Sequence, residues 1–291
     1  MRLMRIAELY RRAEPVVSFE FFPPRTEAGY EPLFRTIAEL KQLRPGFVSV
    51  TWGAGGSTRR RTADLVVQIQ REIGLTAMAH MTCVGSPAQQ LEETLARLAR
   101  EGIANVLALR GDAPREQAGF QATPGGFAYA SELVAYIRSR FGFCIGGACY
   151  PETHPEAESA EADLAHLASK VEAGAEFLIT QLFFDARDYF AFVARARGAG
   201  IGIPIVPGIM PAVSAQNVRR MAALCGARLP EELEARLAAT GEDDAATLEV
   251  GVEWATRQCR ALLEGGAPGL HFYTLNRSPA ARRVHENLFG R

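Results

Sequence analysis

Val16-Val17-Ser18-Phe19-Glu20-Phe21-Phe22-Pro23-Pro24 is a short apolar stretch stopped by two prolines. Its β-branched and aromatic residues favour a pleated strand, and neither proline can continue a hydrogen-bonded ladder. Side chains alternate along a strand, so Ser18 and Glu20 share one face while Val17, Phe19 and Phe21 share the other. An acid among such neighbours costs free energy unless it has a partner or a task. Glu20 is therefore a candidate for chemistry; pairing with an arginine as a packing feature is the alternative that this stretch leaves open.

Working outward, seven more stretches of strand character follow: Gly46–Thr51, Leu75–Thr82, Asn105–Leu109, Phe143–Cys149, Ala175–Gln181, Ile203–Val206 and Leu270–Thr274. Helical patterns separate them. The clearest run from about Tyr30 to Leu43, through Leu65, Val66 and Ile69, over Ala88–Arg100 behind Pro87, and over Ala160–Ala173. Alternating strands and helices predict a parallel sheet, and eight such units point to an α/β protein of the (β/α)8 TIM-barrel type. An open doubly wound sheet competes, but it would bring a glycine fingerprint after the first strand, and none stands there. Residues 1–13 predict a short amphipathic helix striped by Leu3, Ile6, Leu9 and Tyr10. Further helices at Pro230–Leu237 and Ala245–Leu263 decorate the interval between strands seven and eight. With no linker or low-complexity tract, residues 1–291 read as one barrel domain.

At 291 residues and 48% hydrophobic, the chain can bury a large core. Its 32 basic and 33 acidic residues nearly cancel, leaving no footprint for nucleic acid or an anionic membrane; a small neutral or anionic ligand fits better. Residues Met1 to Glu14 are charged and carry no signal-like apolar run, and no stretch reaches the ~20 apolar residues of a membrane span, so a cytoplasmic protein is expected. Five cysteines without a C-x-x-C pair read as buried thiols rather than disulfides or a zinc site.

Polar residues recur where the strands end, the place where barrels of this kind build their sites. Period-two counting aligns Ser18 with Glu20, Ser49 with Thr51, Met78 with His80 and Thr82, and Val106 and Ala108 with Arg110 and Asp112. Tyr150 and His154 follow the fifth strand and Gln181 the sixth, while His271, Tyr273 and Arg277 belong to the eighth. Such groups at exit after exit are costly in a barrel without a ligand. Gly53–Thr58 matches G-x-G-x-x-G only partly and reads as a tight turn near the ligand; there is no Walker A lysine, H-E-x-x-H or G-x-S-x-G. Arg110-Gly111-Asp112 offers an arginine for a phosphate or carboxylate, a glycine for close approach and an acid to orient a ring. An internal Arg-Asp ion pair is the alternative. His80, His154 and His271 together could bind a metal, but no acidic cluster accompanies them at ligand spacing.

Taken in order, Ser18-Phe-Glu-Phe-Phe-Pro-Pro-Arg-Thr26, Val48-Ser-Val-Thr51, His80-Met-Thr-Cys83, Leu107-Ala-Leu-Arg-Gly-Asp112, Tyr150-Pro-Glu-Thr-His-Pro155, Ile179-Thr-Gln181, Pro207-Gly-Ile-Met-Pro211 and His271-Phe-Tyr-Thr-Leu-Asn-Arg277 resemble the successive signatures of the methylenetetrahydrofolate reductase family. The resemblance implies a (β/α)8 flavin enzyme in which NADH or NADPH, with NADH favoured, reduces FAD. The flavin then passes hydride to 5,10-methylenetetrahydrofolate in a ping-pong cycle, giving the 5-methyl product used in methionine synthesis. It implies that Glu20 is the general acid, its carboxyl raised in pKa by an apolar setting, and that Asp112 lies near the flavin and pterin, favouring hydride donation. It assigns FAD contacts to Thr51, His80, Arg110, Gly111, Asp112, Tyr129, Ala130, Tyr150, His154, Asp163, His166 and Lys170, and folate contacts to Glu20, Gln181, Asn217, Met221 and Arg277. Asn217 and Met221 depart from the glutamine and phenylalanine familiar in bacterial members, as His166 and Ser169 do from an asparagine and an arginine. The Gln121–Phe127 segment is longer than in some relatives. Long eukaryotic members add a domain that binds S-adenosylmethionine; the chain stops soon after the eighth unit, which implies no such inhibition. Members are typically homo-oligomers, and the same is expected here. At the residue level two rivals stay open: a metal-dependent barrel hydrolase or lyase using the three histidines, and a non-catalytic flavin or folate carrier.

Overall fold

The computed structural model describes residues 4–52, 56–112 and 120–290. Eight parallel strands, β1 (Val16–Phe21), β2 (Phe47–Val50), β3 (Ala77–Thr82), β4 (Asn105–Leu109), β5 (Cys144–Cys149), β6 (Phe177–Leu182), β7 (Ile205–Ile209) and β8 (Gly269–Tyr273), close into a barrel in sequence order. Closure is made by β1 against β8, with Val16 opposite Gly269 and Glu20 opposite Tyr273. This is the (β/α)8 architecture expected from the alternation of strands and helices.

The helices are α1 (Ile6–Leu9), α2 (Tyr30–Lys41), α3 (Gly56–Gln68), α4 (Ala88–Arg100), α5 (Ala130–Arg140), α6 (Ala160–Glu172), α7 (Ala186–Gly198), α8 (Ala215–Cys225), α9 (Glu231–Ala239), α10 (Asp244–Glu264) and α11 (Pro279–Phe289). Local chemistry sets several starts. Ser159 Oγ accepts from the Ala162 N–H at α6, Asp185 from Arg187 at α7, and Asp243 from Ala245 and Ala246 at α10. Outward residues such as Val17, Phe19, Phe21, Val48 and Val50 join the apolar stripes of the helices in the main core.

A second core fills the lower barrel, where Val16, Phe47, Met78, Leu107, Phe177 and Val206 meet Ile6 and Leu9 of α1. The amphipathic helix expected over residues 1–13 is thus one turn long among the described residues, and Leu3 lies outside them. Asn105 holds its start, accepting from the Ile6 N–H at 2.8 Å and donating to the Met4 carbonyl at 2.9 Å. The segment works as a plug for the amino-terminal mouth of the barrel.

Period-two counting misplaced one face. Val106 and Ala108 belong to the outer core and Leu107 to the barrel interior, so Arg110 and Asp112 do not continue an inward row. They reach the rim because β4 ends at Leu109 and Gly111 takes φ +84°. A Cβ there would sit 2.5 Å from Val84 Cγ1, so both conformation and space demand glycine. Strand seven was expected to stop at Val206 but runs to Ile209 through Pro207 and Gly208. A register shift in β6 between Ile179 and Leu182 makes this possible, and the Gly208 N–H donates to Thr180 Oγ1 at 2.9 Å instead. No described helix is long and apolar enough to cross a membrane.

Candidate active site

Glu20 is the deepest acid of the carboxyl-terminal mouth and is 6% exposed. Strand alternation turns it inward, where its Oε2 lies 3.5 Å from His80 Nε2 of β3 and 3.6 Å from His271 Nε2 of β8. The apolar setting expected for this carboxyl is therefore corrected: two imidazoles flank it, because the inward rows of β1, β3 and β8 are polar at this level. His271 is fixed from below by Ser18 Oγ, 2.8 Å from Nδ1, and Ser49 Oγ lies 3.5 Å from Nε2. Burial pushes the His80 imidazole down from 6.5 to about 4, with the Glu20 charge opposing the shift, so His80 is neutral near pH 7. Tyr273 donates to the Thr180 carbonyl at 2.6 Å, and a Cβ on Gly208 would sit 2.6 Å from its ring.

Beside the mouth, between the end of β5 and helices α5 and α6, opens a cleft of about 500 Å³. Arg110, Tyr129, Ala130, Tyr150, His154, Asp163, His166 and Lys170 all line it, which brings together most of the residues expected to contact a cofactor. At one end Tyr129 and His166 stack at 6.0 Å and 12°, with Tyr129 more than half exposed. Lys170 runs along the outer face of β5, where Gly147 leaves room, and donates to the Ala148 carbonyl at 2.6 Å; burial lowers its pKa. Asp163 accepts from the His154 N–H at 2.9 Å, and His154 Nδ1 accepts from the Glu156 N–H at 3.0 Å. Burial and then the neighbouring Arg110 lower the His154 pKa.

Arg110 pairs with Glu156 at 2.6 Å and lies over the Phe120 ring, so the internal pair with Asp112 is not the one formed. Asp112 is close enough to Tyr150 for its charge to reinforce the effect of burial in raising that phenol to about 12. Gln181 accepts from the Leu182 N–H at 2.8 Å and lies near enough to Tyr150 to oppose that rise, which joins the mouth to the cleft. Thr51 holds the end of β2 by donating its N–H to Phe21. On α8, Asn217 accepts from Arg220, and Met221 packs against the apolar cluster of Leu182, Phe184, Met210 and Trp254; Arg277 is exposed above β8. Ser169 points away into solvent and donates to the Ala165 carbonyl. The Gly53–Ala54–Gly55 part of the glycine-rich turn lies outside the described residues. Among the described residues, no group of three or more His, Cys, Asp or Glu is placed to hold a metal ion.

Two site features escaped residue-by-residue assignment. Ser18 and His271 were visible as polar strand residues, but only closure of β1 onto β8 puts them in contact. Several buried polar atoms at the carboxyl ends of β2 and β3 make no hydrogen bond: His80 Nε2, Thr82 Oγ1 and Trp52 Nε1. Unpartnered polar atoms around a concave mouth are costly unless a bound molecule satisfies them. A large ring system with polar edges, a phosphate-bearing tail for Arg110 and Lys170, and a second aromatic group for the Tyr129–His166 stack would fit these groups together.

Comparison with known proteins bears on which family built this site. The family model described as methylenetetrahydrofolate reductase matches residues 5–289. A relative from Arabidopsis thaliana, methylenetetrahydrofolate reductase (NADH) 1, is 41% identical over 98% of this chain and 50% of its own length. The chain thus spans about half the length of the plant relatives it matches. The 5,10-methylenetetrahydrofolate reductase of Escherichia coli (strain K12) is 40% identical over 94% of this chain and 90% of its own. Among solved structures, a Clostridium thermocellum protein described as binding two copies of 5-methyl-5,6,7,8-tetrahydrofolic acid superposes with a TM-score of 0.66 at 14% identity, covering 98% of each chain, and shares the fold. From a match over nearly the whole sequence and bacterial relatives covered almost end to end, the chain belongs to the methylenetetrahydrofolate reductase family.

Proposed function

We propose that this chain reduces 5,10-methylenetetrahydrofolate to 5-methyltetrahydrofolate, with FAD bound in the cleft and mouth and NADH as the reductant. One observation carries the reading: a buried carboxyl between two imidazoles opens onto a mouth whose buried polar atoms lack hydrogen bonds, beside a cleft with a lysine, an arginine and a stacked aromatic pair. The names of plant relatives 39–41% identical favour NADH. When bound, the flavin supplies hydride relay between nicotinamide and the one-carbon unit.

The protein's own part is binding, orientation and proton delivery. Glu20 donates a proton to the ring nitrogen that leaves the methylene carbon; that C–N bond opens, and the remaining nitrogen and carbon form the iminium that accepts hydride. Neutral His80 leaves the acid without a cationic partner on that side, and His271, held by Ser18, fixes it on the other. Asp112 and Gln181 meet the pterin edge, Arg277 the folate carboxylates, and Asn217 and Met221 the folate's aromatic segment. Arg110, Lys170 and His154 face the FAD phosphates and ribityl chain, Tyr129 and His166 its adenine end, and Thr51, His80 and Gly111 its ring system. Asp163 orients His154 through the backbone. Nicotinamide and folate then use one pocket in turn.

Anaerobic stopped-flow spectroscopy tests this. A yellow protein whose flavin band is bleached by NADH and restored by methylenetetrahydrofolate is expected. Colourless protein, or a reduced flavin that the folate fails to reoxidise, would reject the proposal in favour of a non-flavin barrel enzyme or a carrier.

A further inference from the structure

The segment after β8 is bolted to the exit of β1 by hydrogen bonds that the mechanism above leaves unused. Thr274 Oγ1 donates to the Glu20 carbonyl at 2.6 Å and accepts from the Asn276 N–H at 3.1 Å. The Asn276 carboxamide then grips both backbone groups of Phe22: Oδ1 accepts from the N–H and Nδ2 donates to the carbonyl, each at 2.8 Å. A carboxamide can accept and donate side by side, so it imitates a neighbouring strand. Here it extends the β1–β8 pairing beyond Glu20 and Tyr273, where the backbone ladder ends.

The backbone takes an unfavourable path to deliver that side chain. Leu275 and Asn276 have φ of 50° and 59°, the left-handed region that non-glycine residues seldom enter and that persists only where the surroundings enforce it. Thr36 donates to the Asn276 carbonyl at 3.4 Å, and Leu275 packs against the apolar cluster around Leu182 and Met210. Arg277 comes next, its N–H bonded to the Thr274 carbonyl at 2.9 Å. The proposed acid therefore stands two residues before one end of the clamp, and the proposed folate arginine one residue after the other.

We propose that Asn276 is a positioning residue for the folate half of the reaction: its carboxamide, locked onto Phe22, keeps the strand bearing Glu20 in register with the segment bearing Arg277. The inference rests on the reading of Glu20 and Arg277 as folate-facing groups. Asn276 acts through Phe22 and the backbone and touches neither reactant.

The test compares Asn276→Asp, which keeps the acceptor but turns the donor into a second acceptor facing the Phe22 carbonyl, with Asn276→Gly, which relaxes the left-handed turn and removes both bonds. Leu275→Gly relaxes the turn and leaves the carboxamide in place. In the holoenzyme both Asn276 variants are expected to keep flavin reduction by NADH within about twofold, while reoxidation by methylenetetrahydrofolate slows ~10-fold or more with a raised KM. Exchange of the Phe22 amide hydrogen should quicken in Asn276→Gly, and Leu275→Gly should match the wild type in both half-reactions. Asn276 variants that reoxidise at the wild-type rate, a fall in both half-reactions together, or a Leu275→Gly loss as large as theirs would each overturn the clamp. A wild-type holoenzyme that takes no methylenetetrahydrofolate would overturn the functional reading instead, so the two failures are separable.

Discussion

Glu20 shows how much work a single buried carboxyl asks of its neighbours. Its Oε2 lies within 3.6 Å of two imidazoles, and the interior of the barrel offers little water to solvate a charge. Glu20→Gln keeps the shape and removes the proton, so it is expected to leave flavin bleaching by NADH intact while slowing the folate half-reaction by ~10² or more. Equal losses in both half-reactions, measured by stopped flow, would remove Glu20 from the acid's role. His80 carries a second prediction. Its imidazole is held at about 4 against an ordinary 6.5, so the unfolded chain binds this proton first as pH falls. The stabilising contribution of the neutral ring is complete above pH 6.5 and is lost toward pH 4, a change of ~3 kcal/mol. Urea midpoints between those pH values should therefore fall more steeply for the wild type than for His80→Gln; parallel slopes would count against a buried neutral His80.

At the scale of elements, packing overrules local preference. Gly251 lies in the middle of α10, where alanine would ordinarily favour the helix by up to ~1 kcal/mol. A Cβ at this position would land on the Ala212 carbonyl, a backbone atom that cannot swing aside. Because overpacking against rigid atoms costs ~1–3 kcal/mol, Gly251→Ala is expected to lower stability by ~1–2 kcal/mol. An unchanged or raised urea midpoint would show that α10 can slide away from the segment after β7. Packing also sets where α1 begins, because the Asn105 side chain takes the Met4 carbonyl and the Ile6 N–H.

For the whole molecule, the barrel separates stability from chemistry along its axis. Ile6 and Leu9 plug the amino-terminal end while Glu20, His80 and His271 occupy the carboxyl-terminal half, with Phe47, Met78 and Phe177 packed between. Ile6 is fully buried, so Ile6→Ala should cost ~2–5 kcal/mol of unfolding free energy. The folate half-reaction at 25 °C is expected to stay within about twofold of wild type. A matching loss of rate would mean that the plug also shapes the opposite mouth.

Strand alternation, helix period and the residues at the strand exits were enough to read the barrel and the shared face of Ser18 and Glu20, because side-chain direction in a regular strand is a local property. Tyr129, Ala130, Asp163, His166 and Lys170, which line the cleft away from the strand ends, were reached only through the family resemblance. Regularity fails where a strand stops. Arg110 and Asp112 reach the rim through the left-handed Gly111, and β7 runs on past Pro207 through a register shift in its neighbour; counting in twos sees neither. Contacts made by closing the sheet lay further out of reach. The Ser18–His271 pair and the Asn276–Phe22 clamp each join residues more than 250 positions apart, and only the pairing of the first strand with the last brings them into hydrogen-bonding distance.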